Sequence, residues 1–334
     1  MGRVGQIIVL LIGGGLLLLL LTQVDLGAVG MHLRQTRWAF PLMFLPYVAV
    51  YLCDALGWKF TFARPPAIPF HTLFLSRMAG EAINNLTPFA YIGGEPVKAH
   101  LLTRFQIPMV EGMAAAIIAK LVMSIAQVLF IILGSMLATS YLIVRLDVLW
   151  ALVGIVIGAG VLLGGVWRGL QIGLFTWLHS WLARWQLTRS VFERWREPLY
   201  RLDQALAAFH RQQRGRLRWS FLCFMLGWLL GAWEVFVIFY AIGLPIGLPE
   251  ALAIEALASV AKGIAFFIPG SLGVQEGGNM LILGAFGFSS EVGLTFSLLR
   301  RVREVTWISV GLLVLLRYYG FGRRRGSAPG RTAA

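Results

Sequence analysis

The chain is short of charge. Asp, Glu, Lys and Arg make up 13% of its 334 residues, about half the ~25% of an ordinary soluble domain. The same chain is 58% hydrophobic, which excludes a disordered segment and argues against a soluble enzyme. It is also short of cysteine. Cys53 and Cys223 each sit alone inside an apolar run, so there is neither a disulfide framework nor a CxxC site. His32, His71, His100, His179 and His210 are scattered without metal-ligand spacing. No GxSxG, no Walker A loop and no GxGxxG ahead of a helix is present. The expectation is therefore a protein without metal, cofactor or ordinary catalytic machinery, and not an enzyme. Acids are scarcer than bases, 15 against 29, for a net charge of +14. In a soluble protein that balance would suggest nucleic acid. Here the bases fall between apolar runs, where topology and anionic lipid account for them, so no nucleic-acid partner is expected.

What the chain does have is apolar runs close to the roughly 20 residues that cross a bilayer. They are Ile7–Leu21, Trp38–Trp58, Met113–Ala138, Val148–Trp167, Trp219–Ile242 and Val305–Tyr319. The first has a weak basic start in Arg3 and no clean cleavage site, so it reads as a span, with a cleaved signal peptide as the alternative. Two further apolar stretches are broken. His71–Ile92 contains Glu81, Asn84, Asn85 and Pro88, and Ala251–Phe288 contains Glu255, Lys262, Pro269 and seven glycines. Charge, Pro and Gly at membrane depth are tolerated only where backbone is buried in protein or lines a wet cavity. Both stretches read as re-entrant helical hairpins, the alternative being two ordinary tilted helices with surface loops.

Orientation follows from the loops. Residues 168–218 hold ten arginines against Glu193, Glu197 and Asp203, and the tail after Glu304 holds Arg317, Arg323, Arg324, Arg325 and Arg331 without an acid. The segment Gly243–Glu250 has no base. The positive-inside rule then places both basic segments, and both termini, on the cytoplasmic side of the inner (cytoplasmic) membrane. Within the basic segment, Phe192, Trp195, Leu199, Leu202, Leu206 and Phe209 recur at three- and four-residue steps, one apolar stripe of a helix. The stripe predicts a helix resting on anionic lipid headgroups or a docking site for a cytoplasmic partner.

The broken stretches share a spacing. Glu81, Pro88 and Glu95 are separated by six residues each, as are Lys262, Pro269 and Glu276. The offset of about 181 positions also carries Trp38–Trp58 onto Trp219–Phe239 and Met113–Ala138 onto Leu294–Tyr319. Helix, broken hairpin, helix thus occurs twice. Three spans separate the two starts, so the units face opposite ways, as in many secondary transporters. The fold expected is an all-α polytopic integral membrane protein, with about six full spans and two re-entrant hairpins in inverted repeats. Its parts would be a first span and external loop (1–37), repeat A (38–139), a connecting span (140–167), the basic amphipathic segment (168–218), repeat B (219–320) and a basic disordered tail (321–334).

An ionisable side chain at the bilayer centre costs ~2.5–3.5 kcal/mol on insertion scales, so each needs a partner or water. Glu81, Asn84 and Asn85 share one helical face; so do Lys120, Ser124 and Gln127, and Glu255, Ser259 and Lys262. Glu234 lies within the fifth span, and Arg300, Arg301, Arg303 and Glu304 lead into the last. These residues either fix helix packing or line a site. The turns carry Gly93-Gly94-Glu95-Pro96-Val97-Lys98 and Pro269-Gly270-Ser271-Leu272-Gly273-Val274-Gln275-Glu276-Gly277-Gly278-Asn279. Glycines there let backbone approach a ligand, and a helix starting just after such a turn offers its positive end to an anion. Lys98, Arg300 and Arg303 would add cations for a phosphate. Glu81, Glu95 and Glu276 would repel it unless protonated or paired.

At these residues the chain resembles a known family. "NNLTPFAYIGGEPVKAHLL" and "FFIPGSLGVQEGGNMLILGAFG", followed by "LLRRVREVTW", resemble the two signature regions of the flippase-like family defined by the transmembrane region of lysylphosphatidylglycerol synthase. The first matches a G-E-x-x-[KR] pattern through Gly94, Glu95 and Lys98. The second matches P-G-x-x-G-x-x-E-G through Pro269, Gly270, Gly273, Glu276 and Gly277. The likeness runs from about Gly5 to Tyr319 and implies movement or handling of a polar lipid across the cytoplasmic membrane. Some relatives belong to hopanoid or other envelope-lipid pathways, and the first motif is similar to that branch. The soluble synthase domain of full-length relatives is not in these 334 residues, so the resemblance implies no lipid synthesis.

Together these readings predict translocation of a polar or anionic lipid, or a lipid-linked envelope precursor, through a cavity between the hairpins. One side would be lined by Glu81, Asn84, Asn85, Gly93, Gly94, Glu95 and Lys98. The other would be lined by Lys262, Pro269, Gly270, Gly273, Gln275, Glu276, Gly277, Asn279, Arg300, Arg303 and Glu304. A membrane-embedded headgroup-modifying enzyme and a non-transporting accessory protein of an envelope-lipid pathway are the alternatives. Partners expected are the lipid substrate and anionic headgroups at the cytoplasmic face, with self-association left open.

Overall fold

Side chains that water would drive inward lie on the outside of this protein. Leu133, Met136, Val161, Leu162, Leu313 and Leu316 are all exposed, while Asp54, Arg77, Glu95, Glu234, Glu255, Glu276, Arg300 and Arg303 are buried. Hydrocarbon tolerates an apolar exterior and forces polar groups to find partners within. The computed structural model describes residues 26–36, 40–87, 93–141, 146–182, 189–264, 268 and 271–322, and among these every regular element is a helix.

The helices are α1 (Leu26–Gln35), α2 (Phe40–Lys59), α3 (Phe70–Leu86), α4 (Gly94–Thr103), α5 (Met109–Ala138), α6 (Leu146–Ile172), α7 (Leu174–Leu182), α8 (Arg189–Gln212), α9 (Arg214–Ile242), α10 (Leu248–Ile264), α11 (Val274–Ala285) and α12 (Ser290–Gly322). Among the described residues, three stretches are long and apolar enough to cross a membrane: Pro41–Lys59, Met109–Ala138 and Arg214–Ile242. A fourth is counted if Ile157–Leu170 and Leu174–Trp181, bent by 91°, form one span. The bend falls at Gly173, whose φ of +95° a side chain would resist. Asp203 of α8 then caps α7, accepting from the Thr176 N–H at 2.7 Å and the Phe175 N–H at 3.2 Å.

Both charged stretches are broken. The first is α3 and α4, and it runs on to Thr103, beyond the Ile92 expected, because Gly94-Glu95-Pro96 opens a new helix with Pro in its first turn. The second is α10 and α11. The expected last span at Val305–Tyr319 is instead the second half of α12, which begins at Ser290. Arg300–Glu304 therefore sits in mid-helix, held there by acids from α9, α10 and α11. Ile7–Leu21 lies outside the described residues.

Two sets of four helices share one order and one set of contacts. In the first, α2 packs on α3, α3 on α4 and α4 on α5; in the second, α9 packs on α10, α10 on α11 and α11 on α12. The sets meet where α2 crosses α9, and α3 lies on α12 as α10 lies on α5. One close approach recurs at the 181-residue offset. A Cβ on Gly112 would stand 3.2 Å from the Ala99 Cα, and one on Gly293 would stand 2.8 Å from the Met280 Cα.

Half of the stripe on α8 turns inward. Leu202, Leu206 and Phe209 are buried in the main apolar cluster with residues of α5, α6 and α7. At these three residues the apolar face is covered by the protein's own helices. Phe192 and Trp195 are side chains outside the description.

The tightest joint is between α3 and α4. A Cβ on Gly94 would collide with the carbonyl of Gly80, whereas one on Gly284 of α11 meets nothing within 4 Å. Gly94→Ala should destabilise the detergent-solubilised protein by about 1–3 kcal/mol, read as a lower thermal midpoint. Gly284→Ala should leave the midpoint unchanged or raise it.

Candidate functional site: a charged cavity between the two sets

Polar side chains scattered through apolar sequence converge on one space. A cavity of about 310 Å³ is lined from the first set by Tyr47, Asp54, Arg77, Glu81, Lys120, Ser124 and Gln127. From the second it is lined by Glu255, Ser259, Lys262, Gln275, Asn279 and Arg300. The three faces read from the sequence, on α3, α5 and α10, all contribute. Two smaller chambers adjoin it. One, of about 20 Å³, shares Asp54, Arg77, Lys120 and Met123 with the cavity and adds Trp58, Glu95 and Lys98. The other, of about 30 Å³, shares Tyr47, Glu81 and Lys262 and adds Asn85, Glu304 and Trp307.

The charges are held in two networks. In the first, Arg77 donates to Asp54 across from α2 and to Glu81 one turn on, both at 2.6 Å. The Asn85 amide donates to the Glu81 backbone carbonyl at 2.9 Å. Lys98 donates to Glu95 at 3.0 Å. In the second, Arg300 Nη2 donates to Glu255 Oε1 at 3.0 Å while its Nη1 makes an ion-pair contact with Oε2 at 2.8 Å. Arg303 donates to Glu234 at 2.8 Å, with its guanidinium 3.4 Å from the centre of the Tyr47 ring. Arg301 bridges Glu276 and Glu304, and Lys262 reaches Glu304 at 2.8 Å. Glu304 thus gathers cations from α10 and α12.

Of the residues expected to line the site, Glu81, Lys262, Gln275, Asn279 and Arg300 reach the cavity wall. Glu95, Lys98, Asn85 and Glu304 line the adjoining chambers. Glu276 and Arg303 stand behind the wall as ion-pair partners. Asn84 accepts from the Gly94 N–H at 2.7 Å. Gly93, Gly94, Gly273 and Gly277 do not line the cavity. Two backbone donors of the Gly-rich turns are occupied at home, Gly94 by Asn84 and Gly273 by Glu276, each at 2.7 Å. Glu81, Glu95 and Glu276 are paired with cations, so they do not stand as bare negative charge. Pro269 and Gly270 lie outside the described residues. Among the described residues, no group of three or more His, Cys, Asp or Glu is placed to hold a metal.

Sequence reasoning overlooked Asp54, Arg77 and Tyr47. Asp54 is the lone acid of an apolar 20-residue helix, and Arg77 stands four residues before Glu81. Both signals were legible: a lone charge in a span demands a partner, and an i,i+4 pair supplies one.

The family profile described as "Lysylphosphatidylglycerol synthase TM region" matches residues 6–313. The chain belongs to this family. A "UPF0104 membrane protein" of Methanothermobacter thermautotrophicus is 25% identical over 258 residues, covering 74% of this chain and 75% of that relative. No solved structure matches the chain. Membership fits the apolar exterior and makes this a membrane protein, and the match spans both charged networks and the cavity between them.

The network makes a sharp energetic prediction. Glu234 and Arg303 are almost fully buried, and removing one partner leaves the other without its hydrogen bond and with only a longer contact, Glu234 to Arg300 or Arg303 to Glu304, each at 3.6 Å. Arg303→Met should cost about 3–5 kcal/mol, measured by thermal or denaturant unfolding in detergent. Adding Glu234→Gln should recover much of the loss, because no lone charge then remains.

Proposed function

We propose that this protein moves the headgroup of a polar or anionic lipid across the membrane through the charged cavity. The observation that carries the reading is the cavity itself. It carries charged and polar side chains from both helix sets beside an apolar wall of Val50, Met123, Phe224 and Trp228, lies among spans, and is built jointly by two helix sets of like order. In this reading α3–α4 and α10–α11 are half-crossing hairpins of inverted repeats, and the cavity is the fixed site around which the halves rock. The headgroup occupies the cavity while the tails stay in the bilayer. Arg77, Lys120, Lys262 and Arg300 supply positive charge, and Ser124, Gln127, Gln275 and Asn279 supply neutral hydrogen bonds. The acids keep the empty site nearly neutral, so the site does not bear a cluster of bare cations at membrane depth. In this reading the basic segment and tail lie at an anionic cytoplasmic surface of the inner membrane, in keeping with the positive-inside rule.

Reconstituted full-length protein should accelerate movement of fluorescent phosphatidylglycerol between leaflets, read by dithionite quenching. Glu81→Gln and Lys262→Gln should each slow it at least tenfold with unchanged insertion. Wild-type flux in both variants would remove the cavity from the mechanism. A chemically altered lipid appearing in detergent, without two compartments, would instead establish a headgroup-modifying enzyme.

A further inference from the structure

The neutral side chains on the second set's wall of the cavity turn their donor ends to protein partners. Asn279, on α11, donates an amide N–H to the Ser297 hydroxyl oxygen at 3.0 Å. That oxygen accepts here, because its own O–H donates to the Gly293 carbonyl at 2.9 Å. Ser297 therefore fixes which way the Asn279 amide faces, with the carbonyl oxygen on the opposite side. Gln275, one turn earlier on the same helix, turns its Nε2 to Glu304 Oε1 at 3.4 Å, and a carboxylate only accepts. The Gln275 Oε1 is buried without a hydrogen-bond partner from the protein. On α10 the Ser259 hydroxyl donates to the Ala256 carbonyl at 2.8 Å, which leaves its oxygen lone pairs. All three residues line the cavity.

Two helices thus offer hydrogen-bond acceptors to the cavity, and a buried acceptor is costly until a donor meets it. A phosphodiester cannot meet it, since its oxygens accept too. An ammonium would need a carboxylate beside it, and the acids around this wall already hold cations. Glu255 holds Arg300, Glu276 holds Arg301, Glu304 holds Lys262 and Glu234 holds Arg303. A hydroxyl is neutral and donates. We infer that Ser259, Gln275 and Asn279 form a hydroxyl-binding subsite, and that the headgroup taken by the cavity carries a polyol, glycerol or sugar, beside its anion. The hydroxyls turn to α10 and α11, and the anion turns to the cations of the same cavity. Such a subsite separates two lipids of equal charge by what they donate, because the lipid without hydroxyls leaves the acceptors unpaired.

This assignment rests on the translocation reading, but its test is a binding measurement. Full-length protein is solubilised in lauryldimethylamine oxide, which has no hydroxyl. It is titrated calorimetrically with dihexanoyl phosphatidylglycerol and with dihexanoyl phosphatidylpropanol, which has the same charge and chains but no headgroup hydroxyl. The glycerol lipid should bind at least tenfold tighter. In Gln275→Met, which nearly keeps the side-chain volume and removes the acceptor, that ratio should fall at least threefold. Where Gln275→Met fails to fold, Ser259→Ala, which removes a single oxygen, should lower the same ratio at least twofold. A wild-type ratio below tenfold, or a smaller fall in the variant, would overturn the assignment. So would dihexanoyl phosphatidylethanolamine binding as tightly as the glycerol lipid, since the donor would then be an ammonium. Tighter binding of dihexanoyl phosphatidylinositol would uphold the assignment and make the polyol a ring; weaker binding would uphold it and make the polyol glycerol. Glycerol preference without vesicle flux would uphold the subsite and remove the translocation reading. Equal binding and equal flux of the glycerol and propanol lipids would overturn the subsite and leave that reading standing.

Discussion

A charge in a low-dielectric interior cannot stand alone, and the second half of this protein is arranged around that fact. Arg300, Arg301, Arg303 and Glu304 fall within five consecutive residues near the middle of α12. Five residues are more than one helical turn, so the four side chains point in several directions. No single neighbour can satisfy them all. Glu234 of α9, Glu255 of α10 and Glu276 of α11 each take one arginine, and Lys262 of α10 takes the glutamate. Three helices are thereby fixed at defined rotations about a fourth. Apolar packing alone would not specify those rotations, because lipid tails compete equally for an apolar face. The same pairs keep α12 continuous through a stretch that hydropathy reads as a break.

Hydropathy and interruption carried much of the architecture. The spans at Met113–Ala138 and Trp219–Ile242 were legible because twenty apolar residues in a row have few other uses. The breaks were legible because Pro, Gly and charge do not sit together in a lipid-facing helix. The polar faces on α3, α5 and α10 could be read because i, i+3 and i+4 positions share a side whatever lies opposite. What stayed hidden depends on the partner rather than on the local pattern. The α8 stripe looks the same whether it meets lipid, another protein or its own core, and only the neighbouring helices decide. The Gly-rich turns looked like anion cradles because their N–H groups are countable in sequence. Asn84 and Glu276 satisfy the donors of Gly94 and Gly273, and no spacing rule separates a side chain that caps its own turn from one that faces a ligand. Asp54 differs from these: as a lone charge in a span it announced the need for a partner, and only the identity of that partner, Arg77, 23 residues away on a different helix, was hidden.

Where duplicated units differ, the differences show what symmetry alone would not allow. Glu81 and Lys262 are equivalent by the 181-residue offset, and both line the central cavity and the chamber beside Trp307. Were the same charge at both positions, two like charges would share one small space across the join. Opposite charges remove that repulsion and give the cavity walls a reason to approach each other. A second divergence works the same way. Arg77 and Asp54 form a pair in the first set, and their equivalents, Ala258 and Val235, are apolar. The second set obtains its cation at the wall from Arg300 instead, with Glu255 as counter-ion. Each half therefore contributes a guanidinium–carboxylate pair to the same cavity, but from different helices. An exact two-fold copy would have placed these pairs symmetrically. The offset arrangement leaves Lys120 and Lys262 as the lysines on the wall, one from each half.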